Sequence, residues 1–175
     1  MKKLFTFLVV SSFLFAAENP QGGSYTDVYT TLGFFSDLDF LSDKSQEFIP
    51  ALTVGKRSIS KNGNGIDYGA TFGYLERKEK KNDFVLMFPR MEYIRYGSKG
   101  AINGYAGIGG CVAMYRLKQE NFEGIVGNLT FGADFYREKN MNGFAQVKTY
   151  YPLLSIKANE PKGSPIVFID VGLGF

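Results

Sequence analysis

Residues 125–136 read Ile-Val-Gly-Asn-Leu-Thr-Phe-Gly-Ala-Asp-Phe-Tyr. One parity carries Ile125, Gly127, Leu129, Phe131, Ala133 and Phe135. The other carries Val126, Asn128, Thr130, Gly132, Asp134 and Tyr136. A period of two is that of an extended strand with two unlike faces. The stretch is also long. Globular strands average roughly 5–6 residues, whereas a strand that crosses a bilayer at a tilt needs about 9–11.

The carboxyl end repeats the pattern. Val167, Ile169, Val171, Leu173 and Phe175 fall on one face, and Phe168, Asp170, Gly172 and Gly174 on the other. The same test along the chain predicts eight strands: 24–34, 47–57, 66–76, 83–96, 102–116, 124–137, 143–155 and 165–175. The links between them alternate. The even ones, Lys61-Asn-Gly-Asn-Gly65, Gly97-Ser-Lys-Gly100 and Asn140-Met-Asn-Gly143, are rich in the residues of tight hairpin turns. The odd ones are longer and more charged: 35–46, 77–82, 117–123 and 157–164. Tight turns at one end and looser loops at the other is the pattern of a transmembrane barrel with both termini periplasmic.

The first seventeen residues carry export information. Lys2 and Lys3 precede an apolar run from Leu4 to Phe15, and Ala16-Ala17 ends it. A basic start, a short apolar stretch and small residues at its end predict a cleaved signal peptide over 1–17 and a barrel domain over 18–175. The run is too short to span a bilayer as a helix, which needs about 20 residues. Removing it takes the chain from 20 Lys+Arg to 18 against 17 Asp+Glu, so the excess of positive charge nearly vanishes. No basic patch points to nucleic acid.

Composition excludes further classes. There is no His, so a His-dependent nucleophile, general base or metal site is ruled out. A single Cys, Cys111, forms no internal disulfide or cysteine cluster. Gly is 21 of 175 residues, against an ordinary share of ~7%. Val54-Gly-Lys-Arg-Ser58 is no phosphate loop, because Pro50 and Arg57 occupy its Gly and Ser/Thr positions. No cofactor and no metal are expected.

The signal, the eight two-faced strands and the end Val171-Gly-Leu-Gly-Phe175 resemble the small eight-stranded outer-membrane barrels of OmpA/OmpX type. The resemblance implies an all-β, antiparallel, up-and-down transmembrane β-barrel in a bacterial outer membrane. It also implies that Ile169, Val171, Leu173 and Phe175 are the signal read by the barrel-assembly machinery, with Asp170 departing from the Gly often found there. Outer-membrane lipid and lipopolysaccharide would be its surroundings. The stretch 50–57 followed by Gly65-Ile-Asp-Tyr68 also resembles uncharacterised barrels of chlamydia-like bacteria. Eight-stranded lipid A deacylases and palmitoyltransferases work through a His with a Ser, and without His neither mechanism carries over.

Parity assigns faces. Val28, Leu32, Phe34, Leu52, Val54, Tyr68, Phe72, Tyr74, Val85, Met87, Met91, Ile108, Val112, Leu129, Phe131, Val147, Leu153, Ile169 and Leu173 are expected against lipid. Tyr74, Tyr93, Phe135, Tyr151 and Phe175 are expected in interfacial girdles. The inward parity carries Asp27, Arg57, Asp67, Arg90, Glu92, Asp134, Lys148 and Asp170, three cations against five anions. An eight-stranded barrel is just wide enough for side chains to fill, and a lone buried charge costs several kcal/mol. These charges are therefore expected to pair and plug the lumen. The expected function is a non-enzymatic outer-membrane barrel with a structural, adhesive or surface-binding role, its loops open to a host or surface ligand. A narrow channel or small-ligand pore, and a soluble lipocalin-like periplasmic barrel, stand as alternatives.

Overall fold

The computed structural model describes residues 24–37, 48–77, 82–96, 102–117, 120–138, 141–156 and 163–175. The segment expected as a signal peptide lies outside the described residues. So do most of the first loop and Lys78–Lys81 of the basic run.

Eight antiparallel strands form one closed barrel in chain order. They are β1 Tyr25–Asp37, β2 Ile49–Ile59, β3 Asn64–Leu75, β4 Asp83–Tyr96, β5 Ile102–Leu117, β6 Glu120–Glu138, β7 Met141–Ser155 and β8 Ile166–Gly174. Among the described residues there is no helix. The seam is β1 against β8, from Tyr29↔Gly174 to Asp37↔Ile166. Two backbone bonds extend it: Phe175 N–H donates to the Val28 carbonyl at 2.9 Å, and Val28 N–H to the Phe175 carbonyl at 3.0 Å. Closure leaves no unpaired sheet edge, the condition for backbone polar groups to be satisfied in lipid.

The β2–β3 turn shows its chemistry. Gly63 sits at φ 82, a left-handed conformation that glycine adopts without a Cβ penalty. Ser60 N–H then donates to the Asn64 carbonyl at 2.8 Å. The fifth link departs from the expectation of a loose loop. Leu117 pairs directly with Glu120, so only residues 118 and 119 lie between β5 and β6.

Outward positions are apolar on every strand, with Phe72 55%, Met91 64%, Leu129 40% and Phe131 63% exposed. Two residues expected in that belt are not there. Val85 and Met87 are fully buried inside the barrel. The cause is a register shift between Met87 and Arg90, where β4 loses step with β5. Pro89 lies within it, and a proline has no N–H to give a ladder. Before the shift, Asp83, Val85 and Met87 point in; after it, Arg90, Glu92 and Ile94 do. The parity rule thus holds on each side of Pro89 and inverts across it.

The outer face has a second departure. Phe175, expected in the aromatic girdle, is buried at 7% exposure beside the β1–β8 seam. Tyr74, Tyr93, Phe135 and Tyr151 are exposed on the outer wall.

Candidate functional site

The inward face divides along the barrel axis. Toward the end that carries the loops lies an apolar cluster of Phe35, Ile49, Val85, Met87, Ala113, Tyr115, Phe122, Val126, Tyr150, Ile166 and Phe168. Phe35 stacks on Phe168 with centroids 4.4 Å apart, and Tyr115 on Phe122 at 5.1 Å. The expectation of a polar interior throughout is corrected here: about half the lumen is filled as a hydrophobic core. The other half, toward the tight turns, holds the charges.

All eight predicted interior charges are buried: Asp27, Arg57, Asp67, Arg90, Glu92, Asp134, Lys148 and Asp170 are each at 5% exposure or less. Asp67 is the hub. Its Oδ2 accepts from Arg57 Nε at 3.0 Å, and its Oδ1 from Arg90 Nη2 at 2.7 Å and from the Tyr29 hydroxyl at 2.6 Å. The Arg90 Nη2 also donates to the Tyr29 oxygen.

Arg57 uses all five of its N–H donors. Besides Asp67, Nη1 reaches Tyr96 at 3.2 Å and Asp134 at 3.4 Å, and Nη2 reaches Tyr105 and Gln146 at 3.3 Å each. Its guanidinium carbon also lies 4.5 Å from the Tyr105 ring centroid and 4.9 Å from that of Phe144, within cation–π range. The Tyr96 hydroxyl donates to Asp134 at 2.6 Å.

The remaining charges are tied in separately. Lys148 Nζ meets Glu92 Oε2 at 2.7 Å. Asp170 Oδ2 accepts from Thr31 at 2.6 Å and from Gln146 at 3.1 Å. Asn142 donates to Asp27 at 3.1 Å. Bidentate or multiply bonded ion pairs are the arrangement that offsets desolvation of buried charges.

Space for these groups comes from inward glycines. A Cβ at Gly55 would stand 2.5 Å from the Tyr29 ring and its hydroxyl, one at Gly132 2.4 Å from the Tyr105 ring, and one at Gly107 2.4 Å from Glu92 Oε1. Tyr29 and Gly55 are cross-strand partners, as are Tyr105 and Gly132. Gly107 therefore leaves room for the Glu92 side chain.

Sequence reasoning missed Tyr96, Tyr105 and Phe144 as parts of the charge network. Tyr105 and Phe144 lie on the inward parity of their strands, so the signal existed, but a tyrosine there reads equally as core. It also missed Asp83, buried at the loop end and bonded to Arg77 through Nε at 2.9 Å. The four residues expected as an assembly signal lie along β8 and its end. Val171 and Leu173 are exposed on the outer wall and Ile169 is half-buried, while Phe175 is buried at the seam.

Chemically, the carboxylates are engaged by guanidinium, ammonium, amide and hydroxyl groups inside a closed wall. The outward apolar parity also gives no support to a lipocalin-type cavity, which would need that parity inside.

No family model and no curated protein matches the chain. Solved structures do. The chain is similar to the crystal structure of neisserial surface protein A (NspA) at 12% identity, with a TM-score of 0.62, covering 87% of this chain and 96% of that one. It is also similar to the outer membrane enzyme PagL at 14% identity, with a TM-score of 0.51, covering 85% of this chain and 98% of that one. The fold is that of the small eight-stranded outer-membrane β-barrels. PagL is an enzyme, so this fold by itself neither requires nor excludes catalysis.

Proposed function

We propose that the chain is an integral outer-membrane β-barrel, closed to steady ion flow and without catalytic activity, whose role is structural, adhesive or surface-binding. The single observation that carries this reading is the pairing of an apolar outer wall on all eight strands with a filled lumen. The outer wall matches a lipid solvent, and the filled lumen leaves no path for substrate or ions. Lipid and lipopolysaccharide are its surroundings. Both termini face the periplasm, because the longest links, the 11 residues between β1 and β2 and the 10 between β7 and β8, lie at the other end of the barrel, and long loops are extracellular in such barrels. Ile169, Val171, Leu173 and Phe175 serve as the signal for the barrel-assembly machinery. A surface ligand would be met through the loop end.

Fractionation tests the reading. The protein should sediment with the outer membrane, and should migrate faster on an SDS gel when unheated than when boiled. Purified protein in planar bilayers should show no steady conductance. Recovery in the soluble fraction, or a stable ion-selective conductance, would overturn it.

A further inference from the structure

We propose that the turn end of the outer wall on β2–β4 holds the phosphate headgroup of an anionic glycerophospholipid through Lys56, Arg95 and Lys61. The inference deepens the reading of an outer-membrane barrel and rests on it for a lipid-facing wall and for the leaflet, the periplasmic one.

The first observation is where the cations without partners lie. The inward cations are engaged: Arg57 and Arg90 with Asp67, and Lys148 with Glu92. Those at the loop end are engaged too, Arg77 Nε with Asp83 at 2.9 Å and Arg116 Nε with Asn121 at 2.7 Å. Among the described residues, Lys56, Lys61 and Arg95 meet neither a carboxylate nor a hydrogen-bond acceptor. All three lie toward the tight β2–β3 turn. Lys56 is on the outward parity of β2, Lys61 is in the turn, and Arg95 is on the outward parity of β4.

The second observation is that the backbone gathers them. Arg95 pairs with Asn64 at the foot of the turn, and Tyr96 N–H donates to the Gly63 carbonyl at 2.9 Å. The turn that carries Lys61 is thereby bound to the end of β4 that carries Arg95. Lys56 stands farther up the wall, between Val28 and Tyr68 across the sheet. Its side chain is half-buried. A lysine so placed lays its apolar stem along the wall and carries its ammonium toward the headgroups.

The third observation is the absence of a competing anion. Every carboxylate of β2, β3 and β4, namely Asp67, Asp83 and Glu92, is buried inside the barrel. This sector of the wall therefore carries uncompensated positive charge. Water at the turn tip is enough for Lys61. It does not serve Lys56, whose outward neighbours Val28, Val54 and Tyr68 belong to the apolar belt, where an ammonium is costly unless it meets an anion.

The chemistry of the sector selects the ligand. On a lipid-facing wall the anion must itself reside in the membrane, and the anion of membrane lipids is phosphate. Arginine binds phosphate through two parallel N–H bonds and lysine binds it as a point charge. The exposed Tyr68 and Tyr93 stand among the cations with amphipathic rings suited to the headgroup level, and the exposed Ile66 between them offers apolar surface to an acyl chain. A zwitterionic headgroup brings its own cation to the phosphate; a net-anionic one leaves the charge to the protein. Lipid A also carries phosphate, but in the proposed orientation it occupies the leaflet at the loop end.

Two single-tryptophan variants test this in a chain that has no tryptophan of its own. Ile66→Trp reports from the sector, and Val147→Trp reports from β7, opposite β3 in the closed order of eight strands. Each is reconstituted in vesicles of phosphatidylcholine mixed with acyl-brominated phosphatidylglycerol, and then in the mixture with the bromines on phosphatidylcholine. A cation beside anionic headgroups favours them by about fivefold, so phosphatidylglycerol should be favoured over phosphatidylcholine to at least that degree at Ile66→Trp and hardly at all at Val147→Trp. Adding Lys56→Gln/Arg95→Gln to Ile66→Trp should remove the preference while the heat-modifiable gel position is kept. Equal quenching by the two lipids at Ile66→Trp would overturn the site and leave the membrane barrel standing. A preference that survives the double substitution would also overturn it. Failure of both lipids to quench either tryptophan would overturn the barrel reading along with the site. Should the double variant not fold, the comparison of the two reporters decides. Added lipid A that displaces brominated phosphatidylglycerol better than unbrominated phosphatidylglycerol does would overturn the glycerophospholipid assignment in favour of lipopolysaccharide.

Discussion

Arg57 and Asp67 face each other as cross-strand partners on β2 and β3, and Nε meets Oδ2 at 3.0 Å with both side chains buried. Asp67 also holds Arg90, so one carboxylate offsets two guanidinium groups. A residue in that position is asymmetric in its effect: removing it takes from Arg90 its carboxylate partner and from Arg57 one of two, the other being Asp134, whereas removing either cation leaves the other in place.

Asp67→Asn should therefore lower unfolding stability by about 3–5 kcal/mol, the range for breaking a buried ion pair from one side. Reversible urea unfolding in micelles measures it. Combining Asp67→Asn with Arg90→Met should cost less than the sum of the two single changes, because the second change removes the cation that the first deprives of its carboxylate partner. Strict additivity would mean that the two side chains are not coupled.

The glycines opposite the tyrosines give a steric test. Gly55→Ala places a methyl group 2.5 Å from the Tyr29 ring and must push it away from Asp67. Overpacking of this kind costs about 1–3 kcal/mol. Gly104→Ala is the control, since nothing lies within 4 Å of its added Cβ. The same urea midpoint for both variants would contradict the packing described.

Met87 and Leu86 test the register shift at Pro89. Met87 is buried in the lumen and Leu86 is 43% exposed on the outer wall. Met87→Ala opens a cavity and should cost about 2–5 kcal/mol. Leu86→Ala faces a fluid that fills the gap and should cost less than half as much. The reverse order would restore the uninterrupted parity of β4.

That shift marks the limit of what the sequence discloses. A period of two identifies the strands and, within each strand, the residues that share a face; Leu129 and Asn128 separate correctly on this basis alone. Periodicity carries no information on where the count is broken. Pro89 was visible, but a proline at a strand edge and one within a register shift look alike in sequence. Inward Phe35, Phe122 and Phe168 show the second limit. They lie on the same parity as the charges, and only the closure of eight strands into a barrel brings them into one cluster. The partners of Arg57 were hidden for the same reason, since Tyr96, Tyr105 and Asp134 come from β4, β5 and β6.

Phe175 offers a test of assembly distinct from stability. Its backbone bonds to Val28 survive replacement of the side chain. Phe175→Ala should thus reduce the amount of folded protein in the outer membrane while export proceeds normally. Quantitative immunoblotting of membrane and periplasmic fractions checks it. Unchanged membrane levels would remove Phe175 from the assembly signal.

The most direct measurement of the central claim uses the absence of tryptophan from the chain. Leu129→Trp introduces a single indole on the outer wall, at a residue 40% exposed and flanked across the sheet by Ile108 and Thr149. In vesicles of lipids brominated along their acyl chains, the folded variant should show blue-shifted emission that the bromines quench strongly. Red-shifted emission that the brominated lipids leave unquenched, in protein that retains its β-sheet circular dichroism, would contradict a lipid-facing wall and with it the membrane barrel.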